Sequence, residues 1–167
     1  MLLATNPCEN CGLKPAILQH IGEQSSGLVI AAYGAGNIPT KQGPGFYSLV
    51  SVIAHLHQGG IPVVLTTQCV TGQAEPHLYQ TGYYAHCAGA LAGGDMLPKT
   101  AMVKLSWLLG LAESGWSQSE RADHTLALMG ASLCGERQVT AVEEVHPKIP
   151  SETRLQDSHL ATVPPGI

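Results

Sequence analysis

Two short segments carry the side chains best suited to chemistry. Tyr33-Gly34-Ala35-Gly36-Asn37 ends an apolar run from Leu28, and Thr66-Thr67-Gln68-Cys69 ends a second run that begins at Ile61. Asn37 offers both an amide donor and a carbonyl acceptor, which suits an amino-acid or amide ligand. Thr67, Gln68 and Cys69 add hydroxyl, amide and thiol groups, and Tyr33 and Tyr79 are aromatics able to close such a pocket. The plain alternative is structural: glycines that make a tight turn, hydroxyls that satisfy a strand end, tyrosines on a rim or in a core. The segment lacks the third glycine of a dinucleotide fingerprint and the Lys-Ser/Thr of a phosphate-binding loop, so a phosphate role is weak.

Cys8-x-x-Cys11 lies between a possible strand and a helix start, the layout of a dithiol redox box, because a helix N-terminus lowers thiol pKa. An ordinary loop explains it as well, and a single pair without a second ligand pair is poor evidence for zinc. Cys69, Cys87 and Cys134 stand singly on apolar segments, where a small buried hydrophobe is the expected role. No Gly-x-Ser-x-Gly nucleophile elbow occurs; Cys69 with His77 is the remaining nucleophile pair to consider. The eight histidines are scattered, and His55 and His57 are expected on a helix surface. No metal set or cofactor motif emerges.

The elements that position these residues alternate between strand and helix. "MLLAT" reads as a short strand, and Lys14-Pro15 starts a helix through "AILQHIGEQ". Leu28–Tyr33 is a strand, "FYSLVSVIAHLHQ" a helix ended by Gly59-Gly60, and residues 61–67 another strand. "YYAHCAGALAGGD" is small and apolar, either a short strand or a tight turn. Asp95 is placed to cap a helix in "MLPKTAMVKLSWLLGLA", and Ser117 or Ser119 to start one running through Leu133. From Glu136 the chain is polar and carries prolines, which sets an expected division into an α/β domain over 1–135 and a disordered or loosely docked tail over 136–167. Buried-looking strands alternating with helices predict a parallel α/β sheet. Ligands in such sheets sit beyond the carboxyl ends of the strands, so the loops at 33–39 and 67–79 are expected to face one another.

The 167 residues suffice for one domain with a real core. A chain 44% hydrophobic and only 12% charged is sparse in surface charge, which points to a covering partner or to a piece of something larger. With 8 Lys and Arg against 12 Asp and Glu, net −4, there is no basic footprint for nucleic acid. No apolar run approaches membrane-helix length and no leader pattern opens the chain, so the expectation is a cytoplasmic protein.

Taken in order, "GLVIAAYGAGNIP", "GGIPVVLTTQCVTGQAEPHLYQTG", "AGALAGGDMLPKTAMVKLSWLLG" and "LCGE" resemble the C-terminal domain of the type I, cytoplasmic L-asparaginases, a domain type shared with the related D subunits of glutamyl-tRNA amidotransferase. Each piece is weak alone; the ordered set is specific. The resemblance implies a small Rossmann-like, three-layer α/β domain with a mainly parallel sheet, following a larger N-terminal domain. In the family, two threonines, in Thr-Gly-Gly-Thr and Gly-Thr-Asp-Thr motifs, act with a lysine and an aspartate. Neither motif occurs here, since Thr71-Gly72 continues into Gln73 and Thr66-Thr67 into Gln68. Without the nucleophile, the chain alone is not expected to hydrolyse asparagine. The positions that match a substrate- or effector-binding role are Tyr33, Gly36, Asn37, Thr67, Gln68 and Cys69.

Two departures matter. Ala31-Ala32 stand where bacterial members often carry Arg-Ser, so a ligand carboxylate loses a bidentate partner, which argues against an effector site. "PCENCG" also departs from the family pattern. The implied partners are an N-terminal asparaginase domain or partner chain, sister subunits in a homo- or hetero-oligomer, and a small amino-acid ligand such as asparagine.

Overall fold

The computed structural model describes residues 1–4, 13–40, 48–111 and 117–138. Four strands, β1 (Leu2–Ala4), β2 (Leu28–Ala32), β3 (Val63–Thr67) and β4 (Leu91–Ala92), form one sheet in the order β1-β2-β3-β4. Every strand pair is parallel, with Ile30 beside Leu65 and Ala32 beside Thr67 in the central pair. All five residues of β2 and all five of β3 are buried, so both faces of the sheet are covered.

Three helices connect the strands: α1 (Pro15–Glu23), α2 (Leu49–Gln58) and α3 (Gln80–Cys87). Each crossover steps in the same direction along the sheet, and right-handed crossovers then lay their helices on one face. Leu18, Ile53, Leu56 and Ala85 accordingly pack with Leu28, Ile30 and Leu65. The chain turns back after β4, and α4 (Pro98–Leu111) and α5 (Gln118–Gly130) cover the opposite face. There Val29 and Val64 meet Leu105, Leu108 and Met129. The domain is thus a three-layer α/β fold.

Local chemistry accounts for the helix starts. Pro15 opens α1, and Ser48 opens α2 through a reciprocal pair with Ser51, amide to hydroxyl in both directions at 3.0 and 3.1 Å. Ser117 precedes α5, its amide 3.4 Å from the Glu120 carboxylate.

Four expectations are corrected. The segment read as strand or turn is α3 followed by the two-residue β4. Asp95 does not cap α4, which starts at Pro98; its carboxylate accepts the Gln138 amide at 2.9 Å instead. His57 is not on a helix surface but 7% exposed, facing Gly89 and lying 3.3 Å from Asp123. Cys69, Cys87 and Cys134 are exposed rather than buried. At the expected start of the disordered or loosely docked tail, Glu136 pairs with the buried Lys104 ammonium at 2.5 Å, and Arg137 is buried beside it. Residues 139–167 lie outside the described residues.

Lys104 also donates to the carbonyls of Met129, at 3.0 Å, and Ala131, so one ammonium ties α4 to the end of α5. Glu136 completes the knot by accepting the amides of Leu133 and Cys134. That pairing holds the Glu136 carboxyl well below the usual carboxylate range, with the Lys104 hydrogen bond as the main cause.

Candidate functional site

The parallel sheet brings the carboxyl ends of β2 and β3 side by side, and the two tips meet as the topology demands. After Ala32 the chain makes a tight turn in which the Asn37 amide donates to the Tyr33 carbonyl at 2.9 Å and the Tyr33 amide donates to the Asn37 carbonyl at 3.2 Å. Gly36 sits at φ 98°, a backbone conformation open to glycine and costly for other residues. The turn is closed by its own backbone hydrogen bonds.

Thr67 joins the tips. Its hydroxyl donates to the Gly34 carbonyl at 2.6 Å and accepts the Cys69 amide at 3.0 Å. The Gln68 amide donates to Ala32 at 2.8 Å, and its side-chain nitrogen donates to Ala31 at 2.7 Å. Thr66 faces the other way, into the layer of α4 and α5, where it is fully buried.

Asn37 is held by a residue that the sequence motifs do not single out. Thr81, on α3, donates its hydroxyl to the Asn37 side-chain oxygen at 2.7 Å. Asn37 therefore does not keep both faces of its amide for a ligand. Its oxygen already accepts from Thr81, and its nitrogen lies beside Gly34 of the same turn. Tyr33 adds a half-buried phenol whose pKa burial pushes up, so it stays protonated and can donate.

Two further contacts enclose the edge. The Glu75 amide donates to Ala35 and the Ala74 amide to Gly94, both at 2.8 Å, which pins the long loop after β3 against the first tip and against the loop after β4. Gly94 in turn lies under Arg137: a Cβ there would come within 3.1 Å of a guanidinium nitrogen. The sequence left Gly93-Gly94-Asp95 open between strand and turn, and gave no sign of its role as the seat of Arg137 and Gln138.

Of the expected binding residues, the fold brings together Tyr33, Gly36, Asn37, Thr67 and Gln68, but spends many of their polar atoms on internal partners, among them Gly34, Ala31, Ala32, Cys69 and Thr81. Cys69 points its backbone into the cluster and is exposed; no hydrogen bond joins it to His77. Cys134 has its thiol pKa raised by its hydrogen bond to Glu136, the opposite of an activated nucleophile. Cys8 and Cys11, the redox candidates, lie outside the described residues. Among the described residues no group of three or more His, Cys, Asp or Glu is arranged to hold a metal ion, and no helix is long and apolar enough to cross a membrane.

The rim of this edge is apolar and open to solvent. Val70 is 88% exposed, and Leu78, Tyr79 and Tyr83 are all at least half exposed.

Comparison with known proteins matches residues 10–120 to the family described as the glutaminase/asparaginase C-terminal domain. The chain belongs to that family.

The asparaginase C-terminal domain seen here is 38% identical over 117 residues to the glutamyl-tRNA(Gln) amidotransferase D subunit of Methanobrevibacter smithii, covering 70% of this chain and 24% of that relative. It is 36% identical over 99 residues to the L-asparaginase of Thermococcus kodakarensis, covering 59% of this chain and 29% of that one. The solved structure of the thermostable T. kodakarensis L-asparaginase superposes with a TM-score of 0.66 at 27% identity, over 83% of this chain and 38% of that chain. L-asparaginase I of Vibrio cholerae gives 0.65 at 27% identity, over 82% and 37%. This asparaginase C-terminal domain thus spans roughly a quarter of the length of the curated relatives it matches.

Proposed function

We propose that this chain supplies one wall of an amide-hydrolase pocket in which L-asparagine is hydrolysed to aspartate and ammonia, the nucleophile coming from an N-terminal asparaginase domain or a separate partner chain. A cytoplasmic location belongs to the same reading. The observation that carries it is the tip at the ends of β2 and β3, where Thr67 and Thr81 fix Gly34 and Asn37 so that a preset backbone and the Asn37 amide stand at the edge. Such a wall can orient an amide or carboxylate by hydrogen bonding. Among the described residues of this edge, no nucleophile is hydrogen-bonded to a base. The exposed apolar rim of Val70, Leu78, Tyr79 and Tyr83 supports a second surface closing over the edge.

The deciding experiment is ammonia release from asparagine by the purified chain, alone and after co-purification from its native host. The expected result is no release alone, and release from a complex that contains a chain bearing both threonine motifs. Sustained release by the chain alone after repurification would sink the proposal.

A second reading, that the chain senses asparagine, glutamine or aspartate at Asn37 and Gln68, is weakened by the inward hydrogen bond of the Gln68 amide to Ala31. Calorimetry with each amino acid tests it, and an absence of heat with all three ends it.

A further inference from the structure

Helix α3 is held to the domain differently from its neighbours. Among the five helices of the described residues it alone buries no side chain larger than alanine, its buried positions being Gly82 and Ala85. Each of the others drives a larger residue into the core: Leu18 for α1, Ile53 for α2, Leu105 for α4 and Met129 for α5. At eight residues, α3 is too short to stand without tertiary support. Tyr79, at its N-cap, contributes no side-chain hydrogen bond to its first turn. Gly82 is a residue poorly suited to a helix interior, yet an alanine there would bring its Cβ within 2.8 Å of the Pro76 backbone. The close approach that seats α3 therefore also weakens it.

The two sides of this helix carry different groups. Thr81 and Ala85, four positions apart, face inward: the Thr81 hydroxyl donates to the Asn37 side-chain oxygen at 2.7 Å, and Ala85 joins the core. Tyr79 and Tyr83, also four apart, are exposed. One short helix thus joins the apolar rim to the residue that holds Asn37.

We propose that α3 is a local order–disorder element, which opens while the rest of the domain stays folded, and that each opening releases Asn37 from Thr81. The side chains that α3 itself buries are a hydrogen and a methyl group, so its detachment forfeits little apolar burial and costs far less than global unfolding. The consequence for the site rests on the amide-pocket reading above. A surface that packs on Tyr79 and Tyr83 only while α3 is helical favours the closed state and with it the held Asn37, and a ligand gripped by that Asn37 favours the cover by the same factor. The opening itself does not depend on that reading.

Native-state hydrogen exchange of the full chain, followed by NMR at rising sub-denaturing urea, tests it. The Tyr83 and Ala88 amides, bonded to the Tyr79 and Tyr84 carbonyls at 2.9 and 3.0 Å, report on α3. They are expected to exchange roughly 100-fold faster than the slowest amides of α2 and α4, with little urea dependence because little surface is exposed. Thr81→Val and Asn37→Ala remove the same hydrogen bond, so each is expected to speed α3 exchange about threefold to tenfold and the double variant no further, while Thr81→Ser stays close to the wild-type rate. The wild-type measurement needs no variant to fold. Exchange of α3 at the rate and urea dependence of α2 and α4 overturns the proposal, and additive effects of Thr81→Val and Asn37→Ala overturn its link to Asn37. Exchange is read on the chain alone and ammonia release on the complex, so a failure of this inference is distinguishable from a failure of the functional reading.

Discussion

The Thr67 hydroxyl lies 2.6 Å from the Gly34 carbonyl oxygen and also accepts the Cys69 amide, so a single side chain ties the end of β3 to the tip that follows β2. Its β-branched body is buried at the end of the strand while its oxygen serves two backbone groups of different loops. The same fold element thereby finishes the core and shapes the candidate site.

Thr67→Val keeps the shape and removes both hydrogen bonds. It is expected to destabilise the domain by about 0.5–1.5 kcal/mol for each hydrogen bond lost, the usual net contribution where the partners left behind, Gly34 and Cys69, are on exposed residues. Thr67→Ser keeps the oxygen and should recover most of the loss. Urea denaturation of the three proteins measures this, and a Thr67→Val protein as stable as the wild type would show that the bridge is not formed.

Gly36→Ala tests the backbone of the turn. The nearest neighbour of an added Cβ is Ala74 at an ordinary 3.5 Å, so crowding contributes little and the φ of 98° supplies the effect. A loss of about 1–3 kcal/mol is expected from that strain. In a reconstituted enzyme the same change should raise KM by more than the loss of stability accounts for, because the turn carries Asn37.

Lys104→Met breaks the buried pair with Glu136 and strips the carbonyls of Met129 and Ala131 of their donor. The expected loss is about 3 kcal/mol, at the low end for a broken buried pair because Glu136 retains the Leu133 and Cys134 amides. The pair also sets an acid response. Since the folded state lowers the Glu136 pKa from its ordinary 4.5, its contribution is complete above that value and is lost as pH falls below it. Wild-type stability should therefore drop on acidification more steeply than that of Lys104→Met, compared by urea midpoints at neutral and acid pH.

Gly89→Ala places a Cβ 2.5 Å from the His57 ring at a φ of 100°. Steric conflict and backbone strain act together, and a loss of about 3 kcal/mol is expected. Adding His57→Ala should return part of it by vacating the space, a coupling that a double-mutant cycle of thermal midpoints resolves. Strict additivity of the two changes would contradict the packing.

Much of the architecture was legible in the chain. The runs Leu28–Tyr33 and 61–67 are apolar without alternation, which is what burial on both faces requires, and the Pro15 and Ser117 signals lie where helices begin. The meeting of the two tips followed from the parallel topology alone. Helix α3 escaped notice because "QTGYYAHC" holds a glycine and two tyrosines and has no clear apolar stripe. Only Gly82 and Ala85 of it are buried, so its helical state is set by what it packs on rather than by its own pattern.

The sequence by itself determined the family, the parallel α/β class and the absence of the threonine nucleophile motifs, because strand and helix periods and ordered motifs are properties of near neighbours along the chain. Tertiary structure alone decided that Lys104 and Glu136, thirty-two positions apart, neutralise one another, that His57 turns inward, that the single cysteines face solvent, and that Thr81 holds Asn37. Burial and hydrogen bonding between distant segments depend on which surfaces the packed layers bring together, and no local pattern of residues carries that information.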